Sequence, residues 1–170
     1  ALATVDEQGC PAVRNVLLKH YDNDGFVFFT NLKSTKAQQI EKNAQVSLLF
    51  SWLGLERQVI VTGQAIPISR LKALGYFLQR PRNSQLGAWV SHQSKAINSK
   101  SELQHKFEKI KDTFSQGAVP LPHFWGGYCV HPTGFEFWQG GKSRLHDRFQ
   151  YQKNDERNDE QQWNIQRLSP

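Results

Sequence analysis

The sequence predicts an α+β domain that is mainly antiparallel β, with a barrel-like sheet and peripheral helices. Short runs of apolar and β-branched residues alternate with polar turns that contain glycine, which is typical of antiparallel strands. Helical patterns occur between them without the regular strand–helix–strand alternation that a parallel sheet requires. The length of 170 residues suits one domain, so we expect a single domain over residues 1–170.

The first 62 residues are predicted to be mostly strands. Turn residues at 6–9 and 22–25 separate the first three strands, which we expect to form a meander. Ser34 is placed to cap a short helix over 36–41, and two further strands are joined around Gly54. The predicted strands cover residues 1–5, 12–20, 26–30, 46–50 and 58–62.

The middle of the chain is predicted to be helical. Ser69 begins a stretch whose apolar residues Leu71, Leu74, Phe77 and Leu78 share one face. This helix should end near Arg80, because Pro81 has no N–H to continue it.

Two more helices are predicted before the chain returns to strands. Ser84 can cap a short helix, and residues 101–116 form a longer one that ends before Gly117. Leu103, Phe107, Ile110 and Phe114 lie on one face of the longer helix. The predicted strands after it cover residues 128–130, 135–138, 144–151 and 163–168. Residues 153–162 are strongly polar, and we interpret them as an exposed hairpin extension.

Composition limits the possible function classes. Lys and Arg total 21 against 15 Asp and Glu, so the net charge of +6 favours an anionic partner such as nucleic acid, acidic lipid or a phosphorylated small molecule. The chain lacks the roughly 18-residue apolar run of a membrane-spanning helix, so we expect no membrane span. Cys10 and Cys129 form no disulfide framework, which favours the reducing cytoplasm. The scattered histidines predict no metal site, and the absence of methionine suggests that a native N-terminal segment is missing.

Three cationic sets could carry chemistry, and the first lies near the C-terminus. On a strand through residues 144–148, Arg144, His146 and Arg148 would share one face. Like charges side by side destabilise a sheet unless an anion or a π-system lies over them. The alternative is an edge strand that its charges protect from aggregation.

The second set is Arg14, Lys19 and Lys36, which could cradle a phosphate beside a helix start. Because positions 14 and 19 differ by five, a regular strand would place them on opposite faces. A shared site would then require a bulge, a bend or a second subunit. The alternative is that they are surface cations whose stems cover apolar groups.

The third set is Tyr76, Arg80 and Ser84, spaced four residues apart. Although Pro81 should break the helix, an Arg at one helix end and a Ser at the next helix start make a plausible anion site. The alternative is a solvent-facing Tyr, an Arg at a helix C-terminus and an ordinary cap.

Nucleic-acid binding is the main alternative from composition, since basic charge with exposed aromatic residues can bind single strands. The aromatic residues of this chain cluster in apolar strands, however, which favours a role in the core.

A series of ordered motifs carries a resemblance to a known family. The motifs are RNVLLK at 14–19, FTN at 29–31, ERQV at 56–59, RPRNSQ at 80–85, GAWVS at 87–91, VPLP at 119–122, FWGG at 124–127, FWQGG at 137–141 and RLHDR at 144–148. Over nearly its whole length the chain resembles the pyridoxine (pyridoxamine) 5′-phosphate oxidases, flavoproteins with the FMN-binding split-barrel fold.

The resemblance implies FMN as cofactor and assigns residues to the cofactor and the substrate. The implied FMN contacts are Arg14, Asn15, Val16, Leu17, Leu18, Lys19, Phe29, Thr30, Lys36, Gln58, Gln93, Ser94, Trp138 and Arg148. The implied substrate contacts are Lys19, Tyr76, Arg80, Ser84, Arg144 and His146, of which Arg144 and His146 are the candidate catalytic residues.

The resemblance also implies a reaction and an assembly. Pyridoxine 5′-phosphate or pyridoxamine 5′-phosphate is oxidised at C4′ to pyridoxal 5′-phosphate, with hydride transfer to flavin N5 and reduction of dioxygen to hydrogen peroxide. FMN lies at a homodimer interface in this family, so both subunits would contribute residues. The alternative is a split-barrel flavin-binding protein with a different substrate.

The sequence departs from the family pattern at two places. Family members usually have Arg between the Ser and the Lys of the loop that reads Ser34-Thr35-Lys36 here, so one phosphate donor is reduced to a hydroxyl. The polar segment 153–162 is longer than usual in the family.

Overall fold

Residues 1–91, 93–94, 96–154 and 163–170 are described by a computed structural model. Within them, nine strands form one antiparallel sheet and four α-helices lie against it. The strands are β1 (Leu2–Val5), β2 (Pro11–Arg14), β3 (Leu18–Asp22), β4 (Gly25–Asn31), β5 (Gln45–Trp52), β6 (Arg57–Pro67), β7 (Trp125–Gln139), β8 (Asp147–Lys153) and β9 (Trp163–Leu168). The helices are α1 (Thr35–Lys42), α2 (Arg70–Gln79), α3 (Arg82–Val90) and α4 (Lys100–Thr113).

The strand order is β2-β1-β5-β6-β7-β4-β3, with β8 paired to β7 and β9 paired to β8. β7 is long enough to pair with β4 through its first half and with β8 through its second half. Because β2 and β3 end this order without pairing to each other, the sheet is not a closed barrel. This agrees with the predicted antiparallel class and with an open, barrel-like sheet.

Both hairpins of the expected meander form, but its middle strand is not continuous. The predicted strand over 12–20 is broken at residues 15–17, which pair with no strand. β2 pairs with β1 at one end of the sheet, whereas β3 pairs with β4 at the other end. Both turn signals therefore connect paired neighbouring strands as predicted, and only the break at residues 15–17 was missed.

β7 joins two predicted strands, over 128–130 and 135–138, into one. A bulge opposite Gly63 keeps the pairing with β6 continuous across the intervening Pro132. A Cβ atom at position 63 would lie 2.1 Å from the carbonyl oxygen of His131, so the close approach requires glycine there.

The predicted boundaries of α2 agree with the structure, whereas those of α3 and α4 differ from it by a few residues. Ser69 caps α2 by accepting a hydrogen bond from the Lys72 N–H, and the helix ends before Pro81 as predicted. The N-cap of α3 is Pro81 rather than Ser84, so the helix starts three residues earlier than expected. α4 ends at Thr113, and Gly117 has a φ of +77° in the turn that follows.

The predicted apolar face of α2 is only partly buried. Phe77 is fully buried, but Leu71 and Leu78 are 79% and 55% exposed in the single chain. Ala73, which the apolar pattern did not include, is buried instead. The helix is therefore rotated so that the small Ala73 faces the sheet.

Two hydrophobic cores hold the domain together. One lies between the curved sheet and α1, and it consists of Leu2, Phe28, Ala37, Ile40, Val46, Leu48, Val61, Ala65, Tyr128 and Val130. The other lies beneath the helices of the middle segment, and it consists of Ala73, Phe77, Leu86, Val119 and Trp125. The second core extends to the start of β7, so it places α2 and α3 beside β4.

The C-terminal strands differ from prediction at their start. β8 begins at Asp147, not at residue 144, and Lys142–Arg144 form a single 3₁₀ turn in which Ser143 and Arg144 have positive φ. β8 pairs with β9 in register. The connection between them is the segment interpreted as a hairpin extension, and its residues 155–162 lie outside the described residues.

Candidate functional site

A cavity of about 450 Å³ opens between the middle of the sheet and the helices of the second core. The 15–17 break, β3, β4, α1, the end of α2 and the start of α3 all contribute to it. Its lining residues are Asn15, Val16, Leu17, Lys19, Phe29, Thr30, Lys36, Tyr76, Gln79, Arg80, Pro81, Ser84, Gln93 and Trp125. The second and third cationic sets therefore meet in one cavity, apart from Arg14.

Lys36 is a buried cation in the first turn of α1, with only 7% of its surface exposed. Its ammonium group donates to the hydroxyl oxygens of Thr30 at 3.3 Å and Ser34 at 3.4 Å. Among the described residues it has no carboxylate partner. Burial lowers the pKa of Lys36, and the positive charge of Arg14 lowers it further. A buried ammonium group with only neutral partners fits a site for an anion such as a phosphate.

Thr30 and Gln93 connect this cation to the segment after α3. The Thr30 hydroxyl donates to the side-chain oxygen of Gln93 at 3.0 Å, and Asn31 donates its backbone N–H to the same oxygen at 3.4 Å. The side-chain amide of Asn31 donates to the carbonyl of Ser91 at 2.9 Å. These bonds hold Gln93 at the cavity wall beside Lys36.

Ser94, an expected cofactor contact, does not line the cavity. Its backbone has a φ of +70°, and its hydroxyl oxygen accepts a bond from the Thr35 N–H at 3.3 Å. Thr35 itself lines a different groove beside the 6–8 turn. The Ser94 hydroxyl therefore satisfies the first backbone N–H of α1. Thr35 contributes no hydrogen-bond donor to the cavity.

Arg80, immediately after α2, is the second cation of the cavity. Its Nη1 atom is buried and has no hydrogen-bond partner among the described residues. The guanidinium lies over the ring of Trp125 at 4.9 Å and near that of Phe77 at 5.8 Å. Burial lowers the pKa of Arg80, while the neighbouring Tyr76 opposes that shift. Arg80 also lines the cavity, and a guanidinium without a carboxylate partner is a candidate site for an anion.

Tyr76 and Ser84 complete the third set despite the helix break at Pro81. Tyr76 stacks on Phe29 with ring centroids 4.1 Å apart and planes at 12°, which fixes it against β4. Ser84 lies in the first turn of α3 and reaches the cavity from the other side of the break. The three residues thus converge although they lie on two helices.

Lys19 lines the cavity and Arg14 does not, although the charge of Arg14 acts on Lys36. The side chain of Arg14 donates to the Leu2 carbonyl oxygen, the Thr4 hydroxyl and the Gln39 side-chain oxygen. Lys19 lies at a bulge in the pairing of β3 with β4 and lines the cavity. Leu18, another expected contact, is partly exposed and lines a small separate pocket with Phe26 and Phe28, not the cavity.

The remaining expected site residues form a separate cluster, which we call the hairpin group. It comprises Gln58, Trp138, Arg144, His146 and Arg148. Gln58, Trp138 and Arg148 are direct neighbours across β6, β7 and β8, so their side chains share a face. The His146 ring lies 4.7 Å from that of Trp138. None of the five lines the cavity of the same chain.

The expected alignment of Arg144, His146 and Arg148 on one strand is wrong. Arg144 lies in the 3₁₀ turn with a φ of +62°, and His146 precedes the strand. The Gly141 N–H donates to Nδ1 of His146 at 3.1 Å, which folds the turn back on the strand end. A Cβ atom at position 141 would lie 1.9 Å from the Leu145 carbonyl oxygen, so this turn needs glycine.

Arg148 is already bound within its own chain. Its guanidinium forms a salt bridge with Glu136 at 2.9 Å and donates to the Ser169 carbonyl oxygen at 2.9 Å. Few of its donors therefore remain for a ligand.

Three cavity residues were not predicted. Pro81 was interpreted only as a helix breaker, and Gln79 carries no sequence signal. Trp125 belongs to the FWGG motif that supports the family resemblance, but no role in the site was assigned to it.

No helix in the described part of the chain is long and apolar enough to cross a membrane. In the same ranges, no three His, Cys, Asp or Glu side chains are grouped as metal ligands.

Comparison with known proteins places this geometry in a family. Residues 1–114 match the family described as pyridoxamine 5′-phosphate oxidase. Residues 125–170, which contain β7, β8 and β9, match the pyridoxine 5′-phosphate oxidase C-terminal dimerisation region. The hairpin group falls mainly in the second match and the cavity mainly in the first.

Curated relatives agree with both matches. The chain is 56% identical to the pyridoxine/pyridoxamine 5′-phosphate oxidase of Shewanella frigidimarina, over 99% of this chain and 77% of the relative. It is also 56% identical to the protein of that name from Escherichia fergusonii, over 99% of this chain and 75% of the relative.

Two solved structures share the fold. PhzG from Burkholderia lata, crystallised with tetrahydrophenazine-1-carboxylic acid, has a TM-score of 0.91 at 25% identity, over 100% of this chain and 81% of that one. An FMN-binding protein from Nostoc punctiforme related to pyridoxamine 5′-phosphate oxidase has a TM-score of 0.78 at 19% identity, over 99% and 85% of the two chains. Together with the family matches and the close relatives, these likenesses establish that the chain belongs to the pyridoxamine 5′-phosphate oxidase family.

Proposed function

We propose that this protein is an FMN-dependent oxidase that converts pyridoxine 5′-phosphate or pyridoxamine 5′-phosphate to pyridoxal 5′-phosphate. The observation that carries the proposal is that two cations, the buried Lys36 and the partly buried Arg80, line one cavity without carboxylate partners among the described residues. The proposed cofactor and the proposed substrate each carry one phosphate. Two separate phosphate sites in one cavity match that requirement.

Lys36, Thr30 and Gln93 are suited to hold the FMN phosphate. Lys36 supplies the charge, and Thr30 and Gln93 are already oriented by their mutual hydrogen bond. When FMN is bound, it supplies the redox chemistry, taking a hydride from C4′ of the substrate and passing two electrons to dioxygen to give hydrogen peroxide. The protein therefore has to supply binding, orientation and exclusion of water.

Arg80, Tyr76, Ser84 and Lys19 are suited to hold the substrate phosphate. Arg80 offers the unpartnered Nη1 donor, and two hydroxyl groups and the Lys19 ammonium lie on the same cavity wall. Fixing the phosphate end orients the ring and C4′, which reduces the entropic part of the barrier.

His146 and Arg144 are proposed to position the pyridine ring. Because Nδ1 of His146 accepts the Gly141 N–H, that nitrogen carries no proton in this arrangement. The proton of the neutral ring then lies on Nε2, which can donate a hydrogen bond to the substrate.

Oxidation of the alcohol releases two protons with two electrons, and oxidation of the amine also consumes water and releases ammonia.

The division of site residues between the cavity and the hairpin group supports a site shared by two protomers. The match to a dimerisation region supports a homodimer. We propose that the hairpin group of one protomer faces the cavity of its partner, with FMN at the interface. Such an arrangement would bring the expected residues of the cavity and the hairpin group together, whereas Arg14, Leu18 and Ser94 belong to neither.

We further propose that residues 1–170 act as one FMN-binding domain. β7 supports this, because it pairs with strands from both ends of the chain. The two cysteines are both free, which supports a reducing compartment such as the cytoplasm.

The second candidate is a flavin-binding protein of the same fold with another substrate. The likeness to PhzG motivates it, but identity to that protein is 25% against 56% to the oxidases. The phenazine ligand of PhzG carries a carboxylate and no phosphate, so a dependence of turnover on the substrate phosphate distinguishes the two candidates.

An absorption spectrum of the FMN-loaded protein tests the function. Under anaerobic conditions, addition of pyridoxine 5′-phosphate should bleach the flavin band, and air should restore it. A flavin band that stays unchanged with both phosphorylated substrates would contradict the proposed reaction and favour the second candidate. Pyridoxine without the phosphate is the matched control, which should react far more slowly.

A further inference from the structure

The arrangement of Trp125 around Arg80 is not explained by core packing alone. Trp125 is the first residue of β7, is 6% exposed and lines the cavity. The Arg80 guanidinium lies 4.9 Å from the centre of its ring, whereas the contact with Phe77 is longer at 5.8 Å. Trp has the strongest cation–π attraction of the aromatic side chains.

The ring is held rigidly from several sides. Phe29 lies parallel to it at 5.2 Å and 8°, and Phe77 meets it edge-on at 5.2 Å and 68°. Its backbone carbonyl accepts a hydrogen bond from Arg70 at 2.9 Å, and Arg70 also binds the carbonyl of Pro122 at 3.0 Å. The ring is therefore a fixed platform for the guanidinium.

An aromatic platform has a specific advantage for a phosphate site. A carboxylate partner would stabilise the buried guanidinium, but it would occupy the N–H donors and repel the phosphate. A ring face stabilises the charge without taking a hydrogen bond, so Nη1 stays free.

We propose that Trp125 is a positioning residue that holds Arg80 charged and directed into the cavity, where it binds the phosphate of the substrate. The inference rests on the proposed function, because it deepens the role of the same site. Trp125 then determines how strongly the enzyme prefers phosphorylated substrates, through Arg80 and without a hydrogen bond of its own to the phosphate.

The test is phosphate binding to the FMN-loaded dimer of Trp125→Leu and Trp125→Phe. Inorganic phosphate is titrated calorimetrically, and KM and kcat are measured with pyridoxine 5′-phosphate. For Trp125→Leu we expect the Kd for phosphate and the KM to rise about 10-fold, with kcat changed less than about 2-fold. Trp125→Phe retains a ring face, so its increase should be only about 2- to 4-fold.

Trp89→Leu is the matched control for a purely structural effect. Trp89 packs against the same second core and donates to the Pro120 carbonyl at 2.8 Å, but it does not line the cavity. The Trp89→Leu variant should have a lower thermal stability than wild type and an unchanged Kd for phosphate. Equal increases in Kd for both Leu variants would overturn the inference.

Two further outcomes separate this inference from the proposed function. If wild-type protein binds phosphate and Trp125→Leu does not, but no flavin reduction occurs, the reaction is wrong and the role of Trp125 stands. If turnover occurs and the Kd is unchanged in Trp125→Leu, the role of Trp125 is wrong. Should Trp125→Leu fail to fold, an unchanged Kd in Trp125→Phe would overturn the inference.

Discussion

At the scale of single residues, the site consists of charges that burial disfavours. Lys36 and Arg80 are both partly or fully removed from water, and burial lowers the pKa of each. Neither has a carboxylate partner among the described residues. Such groups reduce the stability of the ligand-free protein and increase its affinity for phosphates, so stability and binding should respond oppositely to their removal.

Lys36→Met should separate these two effects. The affinity for FMN is expected to fall at least about 10-fold, because a charge-assisted contact to phosphate is lost. The FMN-free protein should be no less stable than wild type, and more stable by about 1 kcal/mol, since a buried charge has been removed. Fluorescence titration and urea denaturation measure the two quantities.

The control for this change is Lys42→Met, at the exposed end of the same helix. Its ion pair with Glu7 is exposed on both sides and should contribute little to stability. Unchanged FMN affinity in Lys36→Met would exclude Lys36 from the phosphate site.

The lowered pKa of Lys36 also predicts a pH dependence. In the ligand-free folded protein, the pKa of Lys36 lies below its ordinary value of 10.5. As the pH rises from that lowered pKa toward 10.5, Lys36 loses its charge and its attraction for phosphate weakens. The Kd for FMN should therefore increase with pH more steeply in wild type than in Lys36→Met. Because the folded pKa is lowered, stability of the ligand-free wild type should rise in the same window. Parallel Kd profiles for the two proteins would contradict the assignment.

Replacement of Arg144 or His146 by Ala should impair positioning but not cofactor binding. We expect kcat/KM to fall about 100-fold, because a misplaced C4′ no longer meets the flavin. The FMN content of the purified protein should be unchanged. Lys142→Ala, an exposed residue in the same turn, is the control. Wild-type turnover in both variants would remove these roles.

At the scale of elements, the break between α2 and α3 determines where Arg80 points. Gln85 is buried in α3, and its side-chain amide donates to the carbonyls of Phe77 at 3.0 Å and Leu78 at 3.3 Å. Both carbonyls lie in the last turn of α2, and that of Phe77 also accepts the Arg80 N–H at 3.2 Å. Gln85 therefore fixes the angle between the helices that carry Tyr76 and Ser84.

Gln85→Leu should loosen that junction. We expect a loss of about 1–3 kcal/mol in the free energy of unfolding, because the carbonyls of Phe77 and Leu78 each lose a donor and that of Phe77 keeps only the Arg80 N–H. KM for the phosphorylated substrate should rise, while the FMN affinity stays unchanged because Lys36 lies elsewhere. Gln104→Leu, exposed on α4, is the matched control. A normal KM in a destabilised Gln85→Leu would show that the junction does not position Arg80.

At the scale of the whole molecule, the question is whether one site uses two chains. Arg80→Ala disables the part of the site that the cavity supplies. Arg144→Ala disables the part that the hairpin group supplies. If each site combines both parts from different protomers, a mixed dimer of the two variants has one intact site. Random mixing after unfolding and refolding should then recover about a quarter of the wild-type activity.

The opposite assembly gives a different result. If each site lies within one chain, every site of the mixed dimer carries a defect and no activity returns. Each variant refolded alone is the control and should stay at its own low level.

Local chemistry in the sequence was sufficient for many elements. Gly25, Ser69 and Pro81 mark the start or end of an element as predicted, because each acts on the backbone within a few residues. The +6 charge indicated an anionic ligand, and the ordered motifs indicated the family. The four-residue spacing of Tyr76, Arg80 and Ser84 indicated a shared anion site, and all three residues line the cavity.

Only the tertiary structure decided how distant elements combine. The separation of β2 from β3 depends on pairing with β1 and β4, and the 3₁₀ turn at Arg144 depends on the backbone of Gly141. Trp125 becomes part of the site only because α2 places Arg80 on its ring. Sequence patterns report which residues prefer water or a backbone geometry, whereas these contacts depend on packing between segments far apart in the chain.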